Sequence, residues 1–366
     1  MMKCLITTTD ELSSACETAR KEGCISLDTE FVWRQTYLPQ LGIVQIGTAD
    51  DCWAVDCAKG FDQSCLGSVI EDEAVVKILH DARQDLVLLR RFTGASPRSV
   101  FDTQLAAAFA GFRSGIGLQS LLLQAIDVGL AKTETCTDWT QRPLSEAQVR
   151  YALDDVRYLA ALRDELLRRA ASLGTLAWLE EEMAHYNDAA LYAETSPNEA
   201  WRKIKLRRAR LDGRGFAVLR AVAALREELA REWNKPRLWL GADESLIDMA
   251  ERGRVGKLVH RLGGGRGDQL RALYSQSIEA ALDLPEEEWP EDPRVHYIDE
   301  VLNAAGDAMR WLAERAEALH VDAGVIANKA TVTAFVDNVA DETNPLAGGW
   351  RWEAVGREMA EKFGVD

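Results

Sequence analysis

Cys24-Ile25-Ser26-Leu27-Asp28-Thr29-Glu30-Phe31 reads as a β-strand buried through Ile25, Leu27 and Phe31. Side chains along a strand alternate between two faces, so Asp28 and Glu30 point to the same side, one pleat apart. Two adjacent carboxylates repel, and a fold keeps such a pair mainly when positive charge sits between them. A hard divalent cation satisfies that need, because Mg²⁺ takes oxygen ligands from a few carboxylates together with substrate phosphates. The simpler alternative is a polar face with both acids turned to water.

Two later segments carry further acids. Lys77-Ile78-Leu79-His80-Asp81-Ala82-Arg83-Gln84-Asp85-Leu86-Val87-Leu88-Leu89 reads as a strand running into a helix, with Leu86, Leu89 and Phe92 on one apolar face. Asp85 falls in the first turns of that helix. Acids there are favoured by the helix dipole, so a purely electrostatic role for Asp81 or Asp85 is an equally simple reading. Downstream, Pro143 precedes Ser145, and Ser145 with Gln148 spells a capping box that predicts a helix start. Tyr151 and Asp155 then stand at i and i+4 on one face, close enough to serve one site.

In this order, Asp-x-Glu on a strand, Asp on a helix after a strand, and Tyr-x-x-x-Asp on a late helix resemble the DEDD exonuclease superfamily in its tyrosine-bearing branch. Thr36-Tyr37-Leu38-Pro39-Gln40-Leu41-Gly42, Phe101-Asp102-Thr103-Gln104, and Asp138-Trp139 before Arg142-Pro143-Leu144 extend the similarity to the ribonuclease D family. The resemblance covers roughly residues 20 to 170. It places the four metal-binding acids on Asp28, Glu30, Asp85 and Asp155 and the tyrosine on Tyr151. Asp155 is preferred to Asp154 because it keeps the four-residue spacing from Tyr151. Asp85 is preferred to Asp81, which stands where the family has a small residue and is expected to face solvent. The histidine-bearing branch is disfavoured, because Arg150 stands five residues before Asp155 where a histidine is needed.

The resemblance implies an α/β exonuclease domain of ribonuclease H-like fold, a mixed sheet with flanking helices, followed by all-α helical domains. It also implies two divalent cations, Mg²⁺ or Mn²⁺, clamping the attacking and leaving oxygens of an in-line displacement about 4 Å apart. Asp28 would bridge both ions, Glu30 and Asp155 would hold the first, and Asp85 would help hold the second through water. Tyr151, whose phenol has an ordinary pKa near about 10, would orient the nucleophilic water rather than deprotonate it. The implied substrate is RNA with a free 3′ end, tRNA precursors foremost, and the implied products are nucleoside 5′-monophosphates. Phe31 and His80, beside the acids, are candidates for contact with that RNA.

The chain has 366 residues, enough for two or three domains. Its hydrophobic fraction of 47% and charged fraction of 28% suit a soluble globular protein. The apolar run at the start is too short for a signal peptide, and no stretch is long enough for a membrane span. Seven cysteines without zinc spacing read as reduced thiols, so a cytoplasmic location is expected. A net charge of −16 opposes general nucleic-acid binding. Positive charge is concentrated locally, however, in Trp201-Arg202-Lys203-Ile204-Lys205-Leu206-Arg207-Arg208-Ala209-Arg210. Arg202, Lys203, Lys205, Arg207 and Arg208 are therefore candidates for phosphate contact, with a solvated helix face as the simpler reading.

Along the chain, strands are expected at 24–31, 41–47, 52–56 and 75–80, then mostly helices to about 171, with helical character continuing to Tyr192. Thr195-Ser196-Pro197-Asn198 breaks the pattern. Short helices follow at 199–209, 214–233, 243–251, 254–261 and 266–281, resembling the helical nucleic-acid-binding domain called HRDC. The acidic, proline-rich stretch from Asp283 to Pro293 reads as a linker. The expected domains are thus 1–192 (exonuclease), 198–282 (HRDC-type) and 294–366 (a second, divergent HRDC-like domain). On this division a chain ending near Tyr192 keeps its activity on short RNA. No membrane contact or obligate protein partner is expected. A DNA 3′ exonuclease and a non-catalytic RNA-binding scaffold are the alternative functions. The intact acid set opposes the second, and the absence of polymerase or P-loop helicase segments lowers the first.

Overall fold

Burial of Ile25 and Leu27 seats the acid-bearing strand in the interior of a mixed sheet. The computed structural model describes residues 4–130, 138–207 and 209–365. Among these, the strands are β1 (Leu5–Ile6), β2 (Cys24–Val32), β3 (Gln40–Gly47), β4 (Cys52–Asp56), β5 (Val76–Leu79) and β6 (Val100–Asp102). They lie across the sheet in the order β1-β4-β3-β2-β5-β6. β5 runs parallel to β2, β6 to β5 and β1 to β4, while β3 is antiparallel to β4. The four expected strands are all present; the short β1 and β6 were not anticipated.

Helices cover both faces. On one side α1 (Thr9–Glu22), α2 (Ser64–Glu71) and α3 (Arg83–Thr93) pack on Ile25, Leu27, Val44 and Ile46 through residues such as Leu12, Leu66, Leu86 and Leu89. On the other lie α4 (Thr103–Phe109), α5 (Leu118–Ile126), α6 (Glu146–Arg157), α7 (Leu159–Leu173) and α8 (Leu176–Ala184). Of these, α6 packs Val149, Ala152 and Leu153 on Ile43 of β3 and Ala54 of β4. Helix α3 ends on Gly94, whose φ of 78° is readily reached only without a Cβ.

The chain divides into two compact units. The first comprises Met1–Val32, Leu41–Tyr192 and Tyr297–Asp366; the second comprises Trp33–Gln40 and Ala193–His296. In the second, α9 (Gly213–Glu232), α10 (Arg237–Leu240), α11 (Asp243–Arg252) and α12 (Arg266–Leu282) bury Phe216, Leu219, Leu246, Leu270 and Tyr274 together with Trp201. The Tyr37 hydroxyl donates to Glu227 and accepts from Arg231 and Arg237, each 3.0 Å away, which ties the 33–40 segment into this unit. Among the described residues, two expected helices are absent. Residues Pro197–Lys203 form only a 3₁₀ turn, and 254–261 is irregular chain, held where the Arg261 N–H donates to the Trp239 carbonyl at 3.1 Å.

The segment expected as a third domain belongs instead to the first unit. Its helices are α13 (Asp299–Ala318), α14 (Ala323–Ile326), α15 (Lys329–Asp337), α16 (Gly349–Arg351) and α17 (Arg357–Phe363). Leu312, Phe335, Leu346 and Trp350 join Ile78, Phe101, Phe109 and Leu162 in one continuous core. Trp350, 1% exposed, stacks on Trp178 at 5.5 Å and meets Phe109 edge-on at 5.2 Å. Its indole N–H donates to Glu182 at 3.0 Å, and Arg351 pairs with the same carboxylate.

Trp350→Ala should therefore destabilise the first unit by about 3–5 kcal/mol, the range for a large buried aromatic. Denaturant unfolding should show residues 299–363 melting with the sheet in one transition. A separate transition for the C-terminal helices would refute the shared core. For the same reason, a chain ending at Tyr192 should lose cooperative unfolding.

Candidate active site

Three carboxylates converge at the end of β2. Asp28 and Glu30 project from one face of the strand, as period-two alternation requires, and Asp155 reaches them from α6. An oxygen from each lies within 4.8 Å of the other two. α6 begins as anticipated: Ser145 Oγ accepts from the Gln148 N–H at 3.2 Å, and Gln148 Oε1 accepts from the Ser145 N–H at 2.9 Å. That start sets the helix phase that turns both Tyr151 and Asp155 toward the strand. Tyr151 packs against the buried Trp139 with ring centroids 6.1 Å apart.

Asp85 approaches from α3, on the other side of β2, and lies outside the tight group of three. The Thr29 hydroxyl donates to its Oδ1, so the residue between Asp28 and Glu30 anchors the fourth acid. The turn into α3 is fixed by Asp102. This carboxylate accepts the backbone N–H of Asp81 (3.0 Å), Ala82 (2.9 Å), Gln104 (2.8 Å) and Leu105 (3.3 Å) and the Tyr186 hydroxyl (2.6 Å). Asp81 is exposed and adopts φ 59°, a left-handed conformation that explains why a small residue suits this position.

The electrostatics follow from crowding acids where water is scarce. Burial, then the charges of Asp85, Asp155 and Glu30, raises the Asp28 carboxyl well above the ordinary carboxylate range. Burial, with Asp155 and Asp85 adding to it, pushes Glu30 up to about 8. Asp155 rises to about 7, again by burial with Asp154 second. Burial lifts Asp85 to about 6 against the opposing hydrogen bond from Thr29. The Tyr151 phenol is raised by burial and by the facing acids, so it stays protonated at neutral pH. A cluster of acids whose protons are held by burial and by neighbouring charge is suited to a cation that supplies the missing positive charge. Hard oxygen donors at this spacing fit a divalent ion of the Mg²⁺ or Mn²⁺ type.

Gln45, which sequence reasoning missed, completes the cluster. It is fully buried on β3 and its Nε2 donates to Asp28 Oδ2 at 3.2 Å. An amide in the otherwise apolar run Leu41-Gly42-Ile43-Val44-Gln45-Ile46 is the signal that could have found it. Among the candidates for RNA contact, Phe31 is half-buried at the end of β2, next to Glu30. His80 is tucked inward, its Nδ1 2.9 Å from the Thr103 hydroxyl, and burial lowers its pKa. The basic residues belong to the second unit. Arg202 pairs with Glu199 at 2.5 Å and lies over the Trp201 ring, and Lys203 donates to Thr195 Oγ1 at 2.7 Å. Lys205 and Arg207 are exposed, and Arg208 lies outside the described residues.

A family model described as 3′-5′ exonuclease matches residues 4–171, the span that holds all four acids and Tyr151. Ribonuclease D of Acidiphilium cryptum is 35% identical, with 97% of this chain and 91% of that protein aligned. Ribonuclease D of Desulfotalea psychrophila is 41% identical over 67% of this chain and 66% of its own length. The crystal structure of Escherichia coli RNase D superposes over 100% of both chains with a TM-score of 0.84 at 27% identity. With the acid cluster at the end of β2 and relatives aligned along nearly the whole chain, the protein belongs to the ribonuclease D family of 3′-5′ exoribonucleases.

Proposed function

We propose that this chain shortens RNA from a free 3′-hydroxyl end, releasing nucleoside 5′-monophosphates one at a time with the help of two divalent cations. Small structured RNAs, tRNA precursors among them, are the proposed substrates. The observation that carries this reading is the convergence of Asp28, Glu30 and Asp155 within 4.8 Å, with Tyr151 one helical turn before Asp155. E. coli RNase D is described as an exoribonuclease involved in structured RNA processing, which supports the choice of substrate.

Asp28, Glu30 and Asp155 would hold one cation, and Asp28 with Asp85 the second. When bound, these ions supply an activated water and offset charge on the reacting phosphate. The protein groups divide the remaining work. Gln45 fixes the Asp28 carboxylate through its N–H, leaving the other oxygen free to ligate. Thr29 does the same for Asp85. Tyr151, kept protonated by its surroundings, is a poor base but a good hydrogen-bonding group, and it orients the attacking water. Arg202, Lys203, Lys205, Arg207 and Arg208 of the second unit supply phosphate contacts that the acidic chain otherwise lacks.

Asp28→Asn should reduce turnover by more than about tenfold, since even outer-shell partners of a metal typically cost that much. Fold and RNA affinity should persist. Turnover within a few-fold of the parent in saturating Mn²⁺ would sink the assignment.

The acids also couple stability to pH. Each carboxyl holds its proton more tightly in the folded chain than in the unfolded one, whose carboxylates titrate near about 4. The folded state therefore binds the excess protons between about pH 4 and about pH 8, and stability falls as pH rises through that window. In chelator, the melting temperature should drop on going from about pH 5 to about pH 8, and saturating Mg²⁺ or Mn²⁺ should restore it at the upper end. A flat profile without metal would show that burial and the neighbouring charges do not hold the acids' protons as the geometry requires.

RNA ending in a 3′-phosphate should resist degradation, while the matching 3′-hydroxyl RNA yields 5′-mononucleotides. Internal fragments in the mass spectrum would make the enzyme an endonuclease.

A further inference from the structure

Residues 138–144 lead into α6, and one arginine ties them to the sheet. Arg142 Nε donates to both oxygens of Asp56, at 3.0 and 2.9 Å, and Nη2 donates to Asp56 Oδ1 at 2.6 Å. The same Nη2 reaches the Gly42 carbonyl at 2.9 Å, while Nη1 donates to the carbonyls of Trp139 (2.8 Å) and Gln141 (2.9 Å). Every nitrogen of the guanidinium is thus committed. Asp56, at the end of β4, is 1% exposed, so the pair is shielded from water on the carboxylate side. At Gly42 a Cβ would stand 2.4 Å from the Trp139 carbonyl oxygen and 2.7 Å from its Cβ, so the turn lies directly on β3.

The consequence falls on one side chain. Trp139, 4% exposed, shares one buried cluster with Ile43, Ala54 and Leu144, and its ring backs onto Tyr151 at 6.1 Å with 31° between the planes. Tyr151 is half-buried beside acids that repel any phenolate and has this indole as its wall. Removing one partner of a buried ion pair is costly, because the other charge is left uncompensated. We infer that Asp56, Arg142 and Trp139 form a positioning device for Tyr151, with the ion pair seating the turn and the indole setting the angle at which the phenol meets the acid cluster. The inference rests on the reading of Tyr151 as the group that orients the attacking water.

Trp139→Leu and Asp56→Asn test it, each alone and combined with Tyr151→Phe. The expected result is a drop in kcat of about tenfold or more for either single variant, with KM for a short RNA and calorimetric Mn²⁺ affinity changed by less than about twofold. In the Tyr151→Phe background the same substitutions should add less than about twofold, because groups acting as one unit are not additive. Trp139→Phe, which keeps a flat ring on the wall, should retain most of the activity. Should the leucine or asparagine variant melt below the assay temperature, kcat is compared at a lower temperature at which circular dichroism shows parent and variant both folded. Losses that multiply in the Tyr151→Phe background, or a matching fall in Mn²⁺ affinity, would overturn the positioning role while leaving Tyr151 itself in place. An undiminished kcat for Tyr151→Phe alone would overturn the reading of the tyrosine, and the device with it.

Discussion

Burial of Asp28, Glu30, Asp85 and Asp155 near one another, with the repulsion it sharpens, sets the terms on which the first unit is built. Four acids in a partly dry pocket would relax apart if their backbones allowed it. Each is therefore carried on an element that cannot yield: two on an inner strand, one on α3 and one on α6. The neighbouring polar groups serve the same end. Asp102 gathers five donors at the mouth of α3, Thr29 restrains Asp85, and Gln45 restrains Asp28. Arg142 and Asp56 fasten the approach to α6 from the far side of the sheet's strand order. Rigidity surrounding a destabilised cluster is the usual arrangement where function requires charge in the wrong place.

How much of this was legible depended on the range of the forces involved. The shared side of Asp28 and Glu30 follows from strand alternation, and the phase of Tyr151 and Asp155 follows from the Ser145 cap, both local consequences of the chain. Gln45 was overlooked because its partner is 17 positions away across a strand boundary, and an isolated amide in an apolar run has no periodic signature. β6 spans only Val100–Asp102, too short for alternation to register. Residues 254–261 suggested a helix by composition. The left-handed Gly253 ends α11, and at Gly256 a Cβ would come within 2.1 Å of Asp248, a tertiary constraint that composition does not encode.

The misplaced third domain has the same origin. An amphipathic helix announces that it has an apolar face but not what covers it. The pattern of residues 299–363 was compatible with an independent bundle, yet Trp350 packs on Phe109 of α4 and Trp178 of α8, and Phe335 lies in the same continuous core. The hydrogen bond from Trp350 and the ion pair from Arg351 to Glu182 record the same docking in polar terms. The shape and polar groups of the partner surface decide between the two outcomes, and both are properties of the folded chain.

The membership of residues Trp33–Gln40 in the second unit has a topological result. The backbone passes from one unit to the other four times, after Val32, Gln40, Tyr192 and His296. No single cut separates the two units. Recombination that exchanged a helical domain at one boundary would carry off part of the sheet-bearing unit, and the octapeptide after β2 would be stranded with the wrong partner. An exchange that kept both units whole would have to carry all four crossings together.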